Sequence, residues 1–330
     1  MSALIDSNLP ALTLISKGKV RDIYSTSSPD HLLFVASDRI SAYDVILRNG
    51  IPGKGKLLTH ISLFWFNKLA DIIPNHFVTA DVDQMPKEVL QYKDQLEGRT
   101  MLVRKAEVVQ LEAIVRGYVT GQFIDFFVPL VYIEWTFRPG SAWAEYKKTK
   151  TIHGISIEED LVESQKLPKP LFTPSTKAEQ GAHDENISPE KAAQVIGQEL
   201  YDQISEVSIK LYTTAAEYAL SRGVILADTK FEFGLIPSAS GSGKDLILVD
   251  EVLTPDSSRY WPLSEYVPGK SQPSFDKQYL RDWLVGAGFR KGLESGPEGK
   301  EGEGWVIDEK VVEGTKNRYE EAVNLLTSGQ

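Results

Sequence analysis

Between Val224 and Leu253 the chain carries two strand-like runs around a loop of small polar residues, Ser238 to Asp245. Val224 to Pro237 and Leu246 to Leu253 read as strands, and the Ser- and Gly-rich stretch between them reads as a hairpin loop. Successive side chains in a strand point to opposite faces. Asp228, Lys230 and Glu232 therefore share one face, with Thr229, Phe231 and Phe233 on the other. A turn centred on Gly241 would set Glu232 opposite Asp250. Two carboxylates facing each other across a ladder repel. A divalent cation between them converts that repulsion into binding, and Mg2+ is commonly held by one or two carboxylates plus substrate phosphates. The plainer reading is a solvent-facing strand with scattered charges. Ile225, Leu226, Ala227, Phe231 and Phe233 around the acidic residues favour the functional one.

The rest of the chain alternates sheet and helix signals, so an α+β fold is expected. Leu12 to Ile15, Val20 to Tyr24 and Leu32 to Ala36 read as short antiparallel strands joined by turns. Residues 57–70 carry Leu58, Ile61, Phe64, Trp65 and Leu69 at helical spacing. Met101 to Arg104 and Val108 to Val115 read as strands leading from one lobe to the next. Residues 140–188 read as loop-rich, with prolines at 168, 170 and 174. Ser188 and Pro189 then open a helix that Gly223 closes and Gly197 divides. Helices over 276–285 and 309–326 follow, separated by a Gly- and charge-rich stretch. Two domains are expected for 330 residues, an N-terminal antiparallel lobe over 1–108 and a larger α+β lobe over 109–330.

Composition narrows the chemistry. The chain has no cysteine, which excludes disulfides, thiolate nucleophiles and Cys-ligated metals. Lys and Arg number 36 against 46 Asp and Glu, and a net charge of −10 weighs against coating nucleic acid. Neither a secretory signal nor a credible membrane span is read; the most apolar stretch, Phe123 to Phe137, contains Asp125, Pro129 and Glu134. A cytoplasmic protein without nucleic-acid or membrane partners is the expectation, with a monomer as the simplest state.

Two phosphate-binding patterns fail on inspection. Gly241-Ser242-Gly243-Lys244 approaches a Walker A loop, but Asp245 stands where Ser or Thr should follow the lysine. Gly286-Ala287-Gly288 lacks the third glycine of a dinucleotide fingerprint. The five histidines show no metal-binding spacing. Lys17-Gly18-Lys19-Val20-Arg21 is more informative. A glycine lets backbone N–H groups approach a polyphosphate, and the flanking cations supply charge. A solvated basic turn is the alternative. Ser37 to Asp44 and Thr254 to Arg259 gather polar groups just after strands, as functional loops or as capped turns.

Taken together, these segments resemble the phosphoribosylaminoimidazole-succinocarboxamide synthase (SAICAR synthetase) family, in its fungal single-function form. The matching strings are GKVRDIY (18–24), SDRISAYD (37–44), MLVRK (101–105), EAIVRGYVTG (112–121), GSAWAEY (140–146), FTPSTKAEQGAHDENIS (172–188), LADTKFEFG (226–234), VDEVLTPDSSRYW (249–261) and SFDKQYLRDW (274–283). The resemblance implies a two-lobed fold similar to ATP-grasp enzymes, with antiparallel sheets and ATP between the lobes. It implies a carbon–nitrogen ligase that joins L-aspartate to carboxyaminoimidazole ribonucleotide (CAIR) with ATP and Mg2+. The carboxylate of CAIR would be activated as an acyl phosphate that the aspartate amine attacks, giving SAICAR, ADP and phosphate.

Carried onto this sequence, the resemblance places Lys17, Gly18, Lys19, Val20 and Arg21 at the ATP phosphates, and Arg104, Lys105 and Glu112 at the adenosine. Asp228 and Lys230 would line the reaction centre, and Glu232 and Asp250 would bind Mg2+. Arg116, Ser141 and Arg259 would hold CAIR. Asp38, Arg39, Ser41 and Asp44, with Lys277 and Arg281, would shape the substrate end. Lys177 to Asp184 would be a mobile segment closing over ATP. A small-molecule kinase on the same scaffold is the alternative, since the ATP-binding parts do not specify the acceptor.

The family string runs through VRGY-(V/I)-TGSAW, whereas here 19 residues, Gln122 to Gly140, separate Gly121 from Ser141. Six of the 19 are aromatic, and the segment fits no single helix or strand period. It is read as a translated intron: 19 codons make about 57 nucleotides, and Gly-Gln-Phe and Pro-Gly permit GT and AG boundaries that leave one glycine codon before Ser141. A genuine insertion, and with it an inactive nucleotide-binding form, is the other reading.

Overall fold

The computed structural model describes residues 2–42, 45–121, 141–157, 160–177, 185–275, 277–288 and 305–328. Asp44, the segment 122–140 and residues 178–184 of the expected mobile segment lie outside the described residues. The chain forms two compact units: Met1–Glu107 with Gly234–Tyr260 and Ser274–Gln330, and Val108–Phe233 with Trp261–Pro273.

In the first unit, five antiparallel strands form one sheet in the order Leu14–Lys17, Arg21–Ser25, His31–Ala36, Thr100–Arg104 and Phe77–Thr79. The three N-terminal strands fall within two residues of their expected places. Tyr24 faces Leu33, and Phe34 faces Met101. Tyr24, Leu33, Val35 and Leu102 pack under Val82, Met85, Val89 and Leu96. The helix Lys54–Lys68 buries Leu58, Ile61, Phe64 and Trp65, the apolar stripe that its periodicity marks. A second cluster joins Ile40, Leu47 and Ile51 to Leu280 and Leu284 of the helix Gln278–Gly286, and to Val311 of Glu309–Thr327.

In the second unit, the strand Leu111–Tyr118 pairs antiparallel with Lys166–Phe172 on one side and Val224–Pro237 on the other. The stretch 140–188, expected to be loop-rich, holds the helix Ala142–Thr149 and the strand Lys166–Phe172. Pro168 and Pro170 lie in an edge strand whose register shifts between Lys166 and Leu171. An edge position and an irregular ladder both tolerate prolines, which cannot donate a ladder hydrogen bond. The expected helices form as Pro189–Ile196 and Gln198–Ser221, divided at Gly197, and Ser188 Oγ accepts from Lys191 N–H. Tyr212 donates its hydroxyl to Leu226 O at 2.6 Å. A Cβ on Gly117 would fall 1.9 Å from that hydroxyl, so the strand needs glycine there for the helix to approach.

The residues flanking the 19-residue segment meet in space. A Cβ placed on Gly121 would lie 2.1 Å from Ser141 Oγ and 3.0 Å from Ser141 Cα. The two Cα atoms are therefore within about 4.5 Å, against about 3.8 Å for residues joined by one peptide bond. Trp143 N–H also donates to Thr120 O at 3.1 Å. Deleting Gln122 to Gly140 thus replaces a long connection between fixed ends by a single bond, which lowers the entropy lost on folding. The deletion variant is expected to unfold at or above the midpoint of the full chain in calorimetry. A fall of about 10 °C or more would show that the segment holds the fold together.

Candidate functional site

The polar face of the second unit follows from one register. Asp228 lies across from Arg116, and Lys230 across from Ile114. The ladder runs on to Phe231 across from Ala113, and next to its end Lys230 bridges Glu112 and Glu232. Asp228, Lys230 and Glu232 thus share a face, as the alternation predicts, with Arg116 and Glu112 on the partner strand. Lys230 Nζ donates to Glu112 Oε1 at 2.5 Å and to Glu232 Oε1 at 3.2 Å, and Lys177 pairs with the other oxygen of Glu232. The sequence marks Glu232 as one of two opposed carboxylates. The carboxylate it meets through Lys230 on the neighbouring strand is Glu112.

The charges settle each other's protonation. Burial raises the Glu232 carboxyl pKa, but Lys230 and Lys177 outweigh it and hold the value at about 2. Burial lowers the Lys230 pKa, and Glu232 with Glu112 lifts it above the usual lysine value. Lys230 is therefore a fixed cation suited to stabilising developing negative charge, and it is unsuited to acting as a base.

Beside this string, Arg116 Nη1 donates to Asp228 Oδ2 at 3.1 Å and to Thr120 Oγ1 at 3.2 Å, and its Nε donates to Thr173 Oγ1 at 3.1 Å. Thr120 Oγ1 donates to Asp228 Oδ2 at 2.5 Å. Ser141 caps the helix Ala142–Thr149, accepting from Ala144 N–H at 3.1 Å. Thr120 therefore links Arg116 to the start of that helix, so these two expected ligands are neighbours. The sequence does not mark Thr120 and Thr173 as site residues, and it marks Lys177 only as the start of the segment expected to close over ATP; their signal is their place inside the strings TG and FTPSTK.

His153 underlies this group. Its Nδ1 bonds to Pro174 O at 3.0 Å, and its Nε2 is buried without a protein partner among the described residues. Burial pushes the imidazole down to about 4, and the nearby Arg116 charge adds to that.

In the first unit, Gly18 N–H donates to Arg21 O at 2.7 Å and closes the basic turn. Lys19 projects from it as an exposed side chain. Lys17 pairs with Asp6 at 2.5 Å. Arg21 is buried, stacks over Phe34, pairs with Asp250, and lies 3.5 Å from Glu251. Arg39 holds the turn from below: it donates to Gly18 O at 3.0 Å, to Ile5 O at 2.6 Å and to Asp22 at 2.6 Å. Ser37 ties to Val20 O through its backbone and its hydroxyl. Asp38 accepts from Arg99, Leu4 N–H and Gly55 N–H; burial raises its pKa, and these donors bring it below the usual carboxylate range. Asp38 and Arg39 thus both have protein partners, and those of Arg39 include the turn itself. Ser41 is buried in a two-residue strand paired with Val45–Ile46.

The hairpin loop closes from Ser238 N–H to Gly243 O, half a residue from the expected centre. Its return strand ends at Val249. Asp250 follows in the left-handed conformation at φ 63°, so it is not the ladder position that simple counting gives it. Arg104 donates to Asn75 O at 2.5 Å, and Lys105 is exposed. Arg259 is half-buried in the strand Ser258–Pro262. Lys277 is buried on Asp256, and Arg281 N–H donates to Lys277 O one turn into the helix. Among the described residues, no group of three or more acidic or histidine side chains forms a metal centre, and no helix is long and apolar enough to cross a membrane.

A family model described as SAICAR synthetase matches residues 14–295. A phosphoribosylaminoimidazole-succinocarboxamide synthase from Pichia angusta is 51% identical over 322 residues, covering 96% of this chain and 95% of the relative. Among solved structures, the SAICAR synthase from Saccharomyces cerevisiae complexed with SAICAR matches with a TM-score of 0.81 at 43% identity, over 99% of each chain. A type-2 SAICAR synthetase in complex with ADP shares the fold at 21% identity and a TM-score of 0.61, over 96% of this chain and 98% of that one.

The low pKa of His153 sets an acid limit on stability. An unfolded histidine titrates near 6.5, so between about 6.5 and 4 the unfolded chain binds a proton that the folded chain refuses. Stability is lost as pH falls through that window. In urea unfolding at pH 7 and 4.5, the wild-type chain is expected to lose about 2 kcal/mol more than a His153→Asn variant, because each tenfold difference in proton affinity between the two states is worth about 1.4 kcal/mol. Equal losses would show that His153 is not the group responsible.

Proposed function

This chain belongs to the SAICAR synthetase family, and on that premise we propose how its residues divide the work. The enzyme joins L-aspartate to CAIR in purine biosynthesis, an ATP-dependent carbon–nitrogen ligation. The near-full-length relatives do not favour the small-molecule kinase or an inactive nucleotide-binding form.

A carboxylate is a poor acyl donor, because its leaving group would be oxide. In the proposed course, the CAIR carboxylate takes the γ-phosphoryl group of ATP, releasing ADP. The aspartate amine then attacks the acyl phosphate carbon, phosphate leaves with the C–O bonding pair, and the nitrogen gives up a proton to solvent as the amide bond forms. The protein's part is positioning and charge stabilisation. Lys17 to Arg21 hold the ATP phosphates, with Arg39 fixing the turn beneath them. Arg104, Lys105 and Glu112 serve the adenosine, and Glu112 also holds Lys230. Lys230 faces the developing negative charge, and Asp228 orients Arg116 toward CAIR. Ser141 and Arg259 complete the CAIR contacts. Asp38, Ser41 and Asp44, with Lys277 and Arg281, shape the substrate end. Arg116 is supported in this role by its immobility, since Asp228, Thr120 and Thr173 leave its guanidinium one orientation.

Mg2+ fits the donor chemistry of Glu232 and Asp250. Glu232 stays ionised to low pH and already attracts two ammonium groups, and Asp250 attracts a guanidinium. When bound, the ion would neutralise phosphate charge. The same reading takes the enzyme as a cytoplasmic monomer acting on small molecules.

The observation that carries the site map is the alternating string Glu112, Lys230, Glu232, Lys177 on one sheet face. A coupled ADP-release assay tests it: release should require both CAIR and aspartate. Glu232→Gln or Asp250→Asn should abolish turnover while calorimetry shows a folded protein. Wild-type rates at low Mg2+ would remove these residues from the metal site. Lys19→Ala should raise the KM for ATP and Arg259→Ala that for CAIR, each by roughly 10–150-fold, the worth of one charge-assisted contact. If both variants affect the same substrate, the division between ATP and CAIR is wrong.

A further inference from the structure

Asp256 lies in the first unit, in the loop that follows the hairpin, and its side chain is 2% exposed. It holds two lysines on one oxygen. Lys54 Nζ is 2.7 Å from Asp256 Oδ2, and Lys277 Nζ is 3.3 Å from the same atom. Tyr319 donates its hydroxyl to Oδ1 at 2.6 Å. These groups come from the start of Lys54–Lys68, the start of Gln278–Gly286 and the middle of Glu309–Thr327. The reaction as described above uses neither Asp256, Lys54 nor Tyr319.

The two lysines are not equivalent. The Lys54 side chain has no solvent access and sits at normal hydrogen-bond distance, so it belongs to the carboxylate. The Lys277 side chain keeps 10% exposure and the longer contact, so, among the described residues, Asp256 leaves N–H donors of its ammonium for a ligand. Burial lowers the Lys277 pKa; Asp256 opposes this, Lys54 and Arg281 add to it, and Glu251 opposes it from further away. Glu251 is itself engaged by Thr254 and Arg21. A second buried ammonium on a shared carboxylate is favourable only if it loses its proton or gains an anion.

We propose that Asp256, seated by Lys54 and Tyr319, is a positioning residue that keeps Lys277 charged and aimed to receive a substrate carboxylate. Both CAIR and aspartate carry that group, and kinetics distinguish them. The inference rests on the reading of Lys277 as a residue of the substrate end. Asp256→Asn leaves two buried ammonium groups with no carboxylate between them. Lys277, the more accessible, is then the easier of the two to deprotonate.

The test measures the variant-to-wild-type ratio of each KM at pH 8 and pH 6 in the full-length enzyme. For Asp256→Asn, the KM of one carboxylate substrate should rise about 10–150-fold at pH 8 and recover towards the wild-type value at pH 6, because acid favours the charged form of Lys277, while the KM for ATP stays within about twofold. A rise for aspartate assigns its carboxylate to Lys277; a rise for CAIR assigns that of CAIR. Lys277→Met should raise the same KM at both pH values. If Lys277→Met leaves every KM unchanged, the placement of Lys277 fails. If Lys277→Met has its effect but Asp256→Asn shows none, or one that ignores pH or spreads equally to ATP, the positioning role fails. Should Asp256→Asn not fold, Lys54→Met carries the test. It gives Asp256 wholly to Lys277, so the same KM should rise about fivefold with no recovery in acid, as for a loss of about 1 kcal/mol, and an unchanged KM overturns the proposal.

Discussion

The polar face of the second unit depends on one ammonium group between two carboxylates. Glu112 and Glu232 come from strands far apart in the chain, and adjacent bare carboxylates would push those strands apart. Lys230 turns the repulsion into two hydrogen bonds. With that contact in place, the register of Leu111–Tyr118 against Val224–Pro237 also brings Arg116 to Asp228. A slip of one residue would turn every one of these side chains to the opposite face, where Phe231 and Phe233 now pack. The apolar face and the charged face therefore enforce the same alignment.

The first unit spends its charges differently. Arg39, Asp22, Asp38 and Arg99 are buried and bonded to one another or to backbone carbonyls and amides. Arg39, through Gly18 O, fixes a short glycine turn whose exposed tip carries Lys19, while Arg99 and Asp38 tie together Ala36, Leu4 and Gly55. A turn with one glycine would otherwise sample many shapes. Holding it from beneath keeps its amides oriented, and under the proposed function that preorganises them for phosphate.

Local alternation made the Asp228, Lys230 and Glu232 face legible, because that pattern needs only one strand. The Ser188–Pro189 cap and the Gly197 break were legible for the same reason. What the sequence hid was long-range. Glu112 reaches Lys230 only through a register between strands, and Asp256 meets Lys54 across two hundred residues of chain. The prolines at 168 and 170 masked a strand because propensity does not reveal that a strand lies at an edge. Asp250 escaped simple counting because a left-handed residue follows the end of its strand. The family resemblance supplied residue roles that no local pattern carries, and the relatives agree with the ligation that it implied.

The meeting of Gly121 and Ser141 has a consequence for how this enzyme could be remodelled. Thr120, immediately before the junction, bonds to Arg116, to Asp228 and to the helix that begins beyond it. Gly121 and Ser141 therefore meet at one place, and that place is a mechanical neighbour of Arg116. A foreign domain whose own ends lie close together has a ready socket there. Tension or slack at the ends of such a graft would pass first to Thr120. That makes the junction a natural coupling for placing a biosynthetic ligase under the control of an unrelated sensor.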